Sequence, residues 1–223
     1  MIITHLELET NHLSALQWFY THQLGLALLQ QTSDQVTFQL GWSKLTFRQT
    51  NQPVAPYHFA INVPLYSLEQ YELWYDVPYI DTSAPGHRIA HFPDWKARAS
   101  YFRDPAGNLV EFIERKDAGY TNGYFQGISE IGLVADDVIA LATQLLGDYP
   151  VSLFSKSQPK ADFTVLGDDY GLFILAQTNR PWLFTDIPAS AGYCRVSFTD
   201  QYGLWQSSYT SHVVPATHPE LVG

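Results

Sequence analysis

The chain has 223 residues, of which 46% are hydrophobic and 15% charged, a composition that predicts a globular protein with a sizeable core and excludes a largely disordered one. Twenty-two acidic residues against twelve basic ones give a formal net charge of -10, which argues against a nucleic-acid partner bound through counterion release. The single cysteine, Cys194, excludes an internal disulfide and a multi-thiolate zinc site.

The first part of the chain predicts a strand, a helix and three further strands. Residues 2–8 alternate between two faces, with His5 on one of them, and this period indicates a half-buried strand. Asn11 is placed to cap a helix that Gly25 ends. The three short strands that follow are predicted at residues 27–30, 36–40 and 44–49.

The same order of elements starts twice more along the chain. The second unit is predicted as a strand at 57–63, a helix from Ser67, and strands around 79, 88–92, 98–103 and 109–114. The third is predicted as a strand at 128–134, a helix at 138–146, and strands at 163–166, 172–176 and 193–198. Because glycines and polar residues without an apolar period fill residues 116–127, that segment is predicted to be a linker.

One carboxylate stands in the middle of an apolar strand at the end of the second unit. Residues 101–113 read as strand, tight turn, strand, and Asp-Pro-Ala-Gly-Asn at 104–108 supplies the chemistry of the turn. Glu111 follows among apolar neighbours. A carboxylate there is costly unless water, a partner or a cation compensates its charge.

Two histidines occupy the same position in successive units as candidate partners of Glu111. His5 and His58 both lie in the first strand of a unit, whereas Thr46 stands in unit one where Glu111 stands in unit two. Taken singly, each of the three has an ordinary structural explanation. Together, two imidazoles and a carboxylate predict a divalent-metal site with open positions, suited to Fe(II) and, with different selection, to Mn, Ni or Zn.

The pattern Asp-Pro-x-Gly-Asn-x-x-Glu at 104–111, with a histidine opening each βαβββ unit, resembles the vicinal oxygen chelate superfamily. That superfamily includes glyoxalase I, extradiol dioxygenases, fosfomycin-resistance proteins and bleomycin-binding proteins. The resemblance implies an α+β fold in which tandem βαβββ modules form an open, cup-shaped mixed sheet, with His5, His58 and Glu111 as the metal ligands. The implied domains are paired metal-bearing modules at 1–115, the linker at 116–127, a degenerate third module at 128–200 and a tail at 201–223.

Differences from individual subfamilies bear on the activity. Glyoxalase I members usually carry a fourth ligand where Thr46 stands, which weakens that assignment. Extradiol dioxygenases add an acid-base histidine and a tyrosine, roles that His91 or His87 and Tyr101 could fill. The basic groups that a phosphonate substrate would need are few.

The third unit opens with Glu130 where histidine stood before and ends without a carboxylate, so it is expected to bind no metal. It would instead resemble a degenerate dioxygenase module, cover sheet edges or join two chains into a homodimer.

The sequence thus predicts a cytoplasmic, metal-dependent enzyme that acts on a small oxygen-rich molecule by ring-cleaving dioxygenase-like or glyoxalase-like chemistry, with no membrane or nucleic-acid partner. The alternative is a non-catalytic, drug-sequestering protein of the bleomycin-resistance type.

Overall fold

Fourteen strands form one mixed sheet in the computed structural model, which describes residues 1–118, 120 and 123–211. The first unit begins with a strand whose burial alternates from Leu6 to Thr10, whereas Ile3 is buried out of that period because the strand pairing shifts register between Ile3 and His5. A π-helical turn at Phe19–Gln23 extends its short helix. The unit comprises β1 (Ile2–Thr10), α1 (Leu13–Trp18), β2 (Ala27–Gln31), β3 (Gln35–Leu40) and β4 (Ser43–Gln49).

The second unit repeats this order with one additional short strand. Its helix is anchored at the start by Glu114, which accepts hydrogen bonds from the backbone N–H groups of Ser67 at 2.6 Å and Leu68 at 2.9 Å. The elements are β5 (His58–Asn62), α2 (Leu68–Trp74), β6 (Tyr79–Ile80), β7 (Ile89–Phe92), β8 (Ala97–Arg103) and β9 (Leu109–Arg115).

The third unit is shorter and is followed by a two-stranded hairpin. Asp137 caps its helix by accepting a hydrogen bond from the N–H of Ala140 at 2.9 Å. The elements are β10 (Gly127–Ala135), α3 (Val138–Asp148), β11 (Phe163–Asp168) and β12 (Gly171–Gln177), then β13 (Cys194–Thr199) and β14 (Gln206–Ser211). No helix within the described ranges is long and apolar enough to cross a membrane.

Unit two pairs with unit three, and unit one pairs with the hairpin that follows unit three. β5 of unit two pairs antiparallel with β10 of unit three, whereas β1 of unit one pairs antiparallel with β13. β1 and β10 meet only at Ile3 and Ile128. The expectation that residues 1–115 form one pair of modules is therefore corrected, because β10 and β13 occupy the edges through which β5 and β1 would have joined.

The sheet separates two regions of core. The helices pack on one face of the sheet over a large apolar cluster that contains Val110 and Phe112. On the other face of the second and third units, a smaller cluster contains Leu109 and Ile113. Since side chains alternate along a strand, Glu111 shares this second face, which the described helices leave uncovered.

The predicted elements are found close to their expected positions, and the α+β fold with an open mixed sheet is confirmed. Two details differ. His12 rather than Asn11 precedes α1, and it makes no side-chain capping bond. The predicted tail at 201–223 contains β14, which pairs along its whole length with β13, and residues 212–223 lie outside the described part of the chain.

Candidate metal centre

Three buried side chains from three adjacent strands meet on the uncovered face of the sheet. His58 lies on β5, Glu111 on β9 and Glu130 on β10, and each offers a ligand atom within 4.8 Å of the others. They are only 6%, 2% and 3% exposed. The Nε2 atom of His58 lies 3.7 Å from Oε2 of Glu111 and 3.9 Å from Oε2 of Glu130. These gaps exceed a hydrogen bond and leave space for an ion between the three atoms.

The turn at 104–108 sets the register of the strand that carries Glu111. One carboxylate oxygen of Asp104 accepts from the N–H groups of Ala106 and Asn108, and the other accepts from the Asn108 amide and the Tyr20 hydroxyl. Asn108 in turn accepts from the N–H of Tyr57, the residue before His58. The turn motif therefore connects the start of β9 to the start of β5 by hydrogen bonds.

The imidazole of His58 is oriented by the backbone of the neighbouring strand. Its Nδ1 lies 3.2 Å from the carbonyl oxygen of Leu109, close enough for Nδ1–H to donate to it. This tautomer leaves the lone pair of Nε2 directed towards Glu111 and Glu130. A backbone partner of this kind is the usual support of a metal-binding histidine.

Glu111 is held in a strongly desolvated position. Burial raises the pKa of Glu111 well above its usual range, and the adjacent carboxylate of Glu130 raises it further. Arg115 and a hydrogen bond from the Tyr101 phenol act on that pKa in the opposite direction. Tyr101 lies directly across from Glu111 in the register of β8 and β9, and burial raises the pKa of its phenol, so it keeps its proton.

Glu130 has a different environment, because its two oxygens face different partners. Oε1 forms an ion pair with Nη2 of Arg115, a residue with no exposed side-chain surface. Oε2 faces Nε2 of His58. The three candidate ligands and Arg115 thus bring two carboxylates and one permanent cation into a buried site.

The site forms the floor of a cavity of about 800 Å³. Its walls include the aromatic side chains Phe92, Trp95, Tyr101, Phe163 and Trp182, and its rim includes Lys156, Lys160 and Arg180. A chamber with aromatic walls and a few convergent polar groups is the usual form of a small-molecule site.

Trp182 covers the histidine from the segment between β12 and β13. Its ring centroid lies 4.9 Å from that of His58, at an angle of 44°. Gly132 makes this approach possible, because a Cβ at that position would lie 2.7 Å from the Trp182 ring.

The structure brings together part of the predicted metal set. His58 and Glu111 meet, but His5 does not join them: β1 and β5 are separated by β10, and Nε2 of His5 hydrogen-bonds Thr46 at 2.8 Å. Burial lowers the pKa of His5. Glu130 stands beside His58 and Glu111 in the place expected for His5, because unit two pairs with unit three, whereas the third unit was expected to contribute no candidate ligand.

Of the two predicted catalytic residues, only Tyr101 lies at the candidate centre. Tyr101 lines the cavity beside Glu111. His91 is exposed on β7 and lines a different depression with Tyr66 and Lys116, so it does not reach the candidate centre. His87 is exposed in the loop before β7.

Sequence reasoning missed three contributors: Glu130, Arg115 and Trp182. Glu130 could have been found, because it stands in the third unit where His58 stands in the second. Arg115 follows Glu111 by four residues, so the two side chains lie on the same face of the strand, and this spacing could have indicated Arg115 as a neighbour of the site. Trp182 lies outside the repeated strands, and the sequence contains no pattern that indicates its position.

No protein-family model matches the sequence, and no curated protein matches it. Among solved structures, a proposed dioxygenase from Bacillus subtilis is 19% identical with a TM-score of 0.60, over 86% of this chain and 67% of that chain. A lactoylglutathione lyase from Agrobacterium tumefaciens is 23% identical with a TM-score of 0.44, over 53% and 96%. The similarity to the Bacillus protein confirms the predicted resemblance as a likeness of fold.

Proposed function

We propose that the protein is a divalent-metal-dependent enzyme of the vicinal oxygen chelate type, with His58, Glu111 and Glu130 as the metal ligands. The observation that carries the proposal is the convergence of one oriented imidazole and two buried carboxylates at the floor of the cavity. Arg115 balances one of the two negative charges. Burial raises the pKa of the second carboxyl, Glu111, so that carboxyl loses its proton only where a counter-ion compensates the charge, and a divalent cation would supply one.

The donor set supports a hard or intermediate cation, with Fe(II) favoured and Mn(II), Ni(II) or Zn(II) as further candidates. Two carboxylate oxygens and one imidazole nitrogen suit such ions. When bound, the metal would act as a Lewis acid on two oxygens of a small substrate. The position of unit three that corresponds to Glu111 is occupied by Ile174, an apolar residue opposite Gly132, so the described part of the chain offers three protein ligands and no fourth.

Three protein ligands favour dioxygenase-like chemistry over the four-ligand arrangement of glyoxalase I, because more coordination positions stay free for substrate and oxygen. Tyr101 keeps a proton on its phenol beside Glu111 and could donate it to a substrate oxygen. The aromatic walls fit a planar or apolar substrate body. Because Cys194 is a free, buried thiol, the proposal includes a reducing, cytoplasmic location.

The test begins with the metal content of protein purified without chelators. We expect a near-stoichiometric transition metal in the wild type and little in Glu111→Gln, with circular dichroism unchanged. The loaded protein is then assayed with catechols and with thiol adducts of methylglyoxal. Metal-dependent turnover supports the enzyme. Ligand binding with neither metal nor turnover would instead identify a sequestering protein and overturn the proposal.

A further inference from the structure

Arg115 is a fully buried charged residue next to the candidate metal centre, and the ligand set alone does not explain it. It is the last residue of β9 and lies on the same strand face as Glu111 and Ile113. A buried guanidinium always carries its charge, so its position has to be compensated by specific partners.

The guanidinium is fixed from several sides. Its Nε donates to Oγ of Ser129 at 3.1 Å, and its Nη2 pairs with Oε1 of Glu130. Its central carbon lies 5.6 Å from the ring centroid of Trp95 and 6.0 Å from that of Phe154. Because Ser129 and Glu130 are consecutive on β10, Arg115 joins the end of β9 to the strand that carries the third ligand.

In this arrangement the two oxygens of the Glu130 carboxylate have different partners. Arg115 binds Oε1, whereas Oε2 faces Nε2 of His58 at 3.9 Å. A free glutamate side chain has several rotatable bonds and could turn either oxygen, or both, towards an ion. With Oε1 held by Arg115, Oε2 is the oxygen that faces the other candidate ligands.

We propose that Arg115 is a positioning residue that holds Glu130 as a one-oxygen ligand of the cation. This inference rests on the metal site proposed above. It predicts that Arg115 increases cation affinity through Glu130, although its own positive charge repels the cation. The two effects have opposite signs, so the affinity of a variant without the guanidinium shows which one dominates.

The experiment is a calorimetric titration of Mn(II) into metal-free wild type, Arg115→Met and Arg115→Lys. We expect Arg115→Met to weaken binding roughly 10- to 100-fold, the usual effect of losing a partner of a metal ligand. Arg115→Lys, which keeps the charge but not the planar fork of the guanidinium, should restore part of the affinity. Arg98→Met is the matched control, because Arg98 pairs with Glu69 and Glu114 and lies away from the cavity, so its Mn(II) affinity should be unchanged.

Equal or tighter Mn(II) binding by Arg115→Met would overturn the inference while leaving the metal site intact. Absence of binding in the wild type would overturn the metal site itself, and the inference with it. If Arg115→Met fails to fold, the pair Glu130→Gln and Arg115→Met/Glu130→Gln replaces it. The double variant should bind Mn(II) as tightly as Glu130→Gln or more tightly, since Arg115 favours the cation only through Glu130 and otherwise repels it, and a further loss in the double variant would contradict that.

Discussion

At the scale of single residues, Gly132 determines how closely an aromatic ring can approach a candidate ligand. It lies two residues after Glu130 on β10, on the same face of the strand, and the edge of Trp182 fills the space where a side chain would be. The Trp182 ring in turn packs at a tilt against the imidazole of His58. Trp182 is 4% exposed, so this contact also excludes water from that side of the centre.

Gly132→Ala should therefore destabilise the protein and disturb the centre. The added Cβ would lie 2.7 Å from the Trp182 ring and 3.2 Å from the carbonyl oxygen of His58, which forces the ring to move. Overpacking of this kind costs about 1–3 kcal/mol. Thermal unfolding measures the loss of stability, and tryptophan fluorescence reports the displaced ring.

Gly147→Ala is the matched control for that substitution. Gly147 lies in α3, and the methyl group that alanine adds there would meet no atom of the described residues within 4 Å beyond its own helix backbone and chain neighbours. Alanine should therefore leave stability unchanged or raise it by up to about 1 kcal/mol. Equal stability of the two alanine variants would contradict the role given to Gly132.

At the scale of elements, the turn between β8 and β9 positions the candidate ligands without touching them. Asp104 is 5% exposed and accepts four hydrogen bonds, and Asn108 connects the turn to Tyr57. Because Glu111 follows three residues after Asn108, a change in the turn would shift it relative to His58. The most recognisable motif in the sequence is thus a structural support of the site.

The turn also predicts a pH dependence of stability. Burial raises the pKa of Asp104 to about 6, above the ordinary value, although its hydrogen bonds act to lower it. The folded protein therefore binds this proton more tightly than the unfolded chain, and the stabilisation is present at low pH and lost as the pH rises through about 6.

Relative to Asp104→Asn, which cannot titrate, the wild type should gain about 1 kcal/mol of unfolding free energy between about pH 7.5 and about pH 5. Urea unfolding of both proteins at the two pH values measures this difference. A difference that is independent of pH, or that changes in the opposite direction, would contradict the raised pKa.

At the scale of the whole molecule, the pairing of unit two with unit three decides which side chains meet. Unit two faces unit three across β5 and β10, so the first-strand residues His58 and Glu130 come together. Unit one instead pairs with β13, where His5 lies opposite Ser197. Two repeat-equivalent histidines therefore belong to different halves of the sheet.

Most of the fold could be predicted from the sequence, because strand and helix periods are local properties. The same holds for Glu111 and His58, whose positions follow from the turn at 104–108 and the repeat. The pairing of units could not be predicted, since it depends on contacts between strands far apart in the chain, such as Ile3 with Phe198. The repeat favours His5 over Glu130, because His5 and His58 are the same residue type at equivalent positions, and only the strand pairing shows that Glu130 lies next to His58.

The most direct test of the metal centre compares the two histidines. Mn(II) is titrated calorimetrically into metal-free wild type, His58→Ala and His5→Ala, with circular dichroism as the control for folding. We predict that His5→Ala binds Mn(II) as tightly as the wild type, whereas His58→Ala loses at least about 100-fold in affinity. Loss of binding in His5→Ala together with retention in His58→Ala would contradict a metal centre between the second and third units.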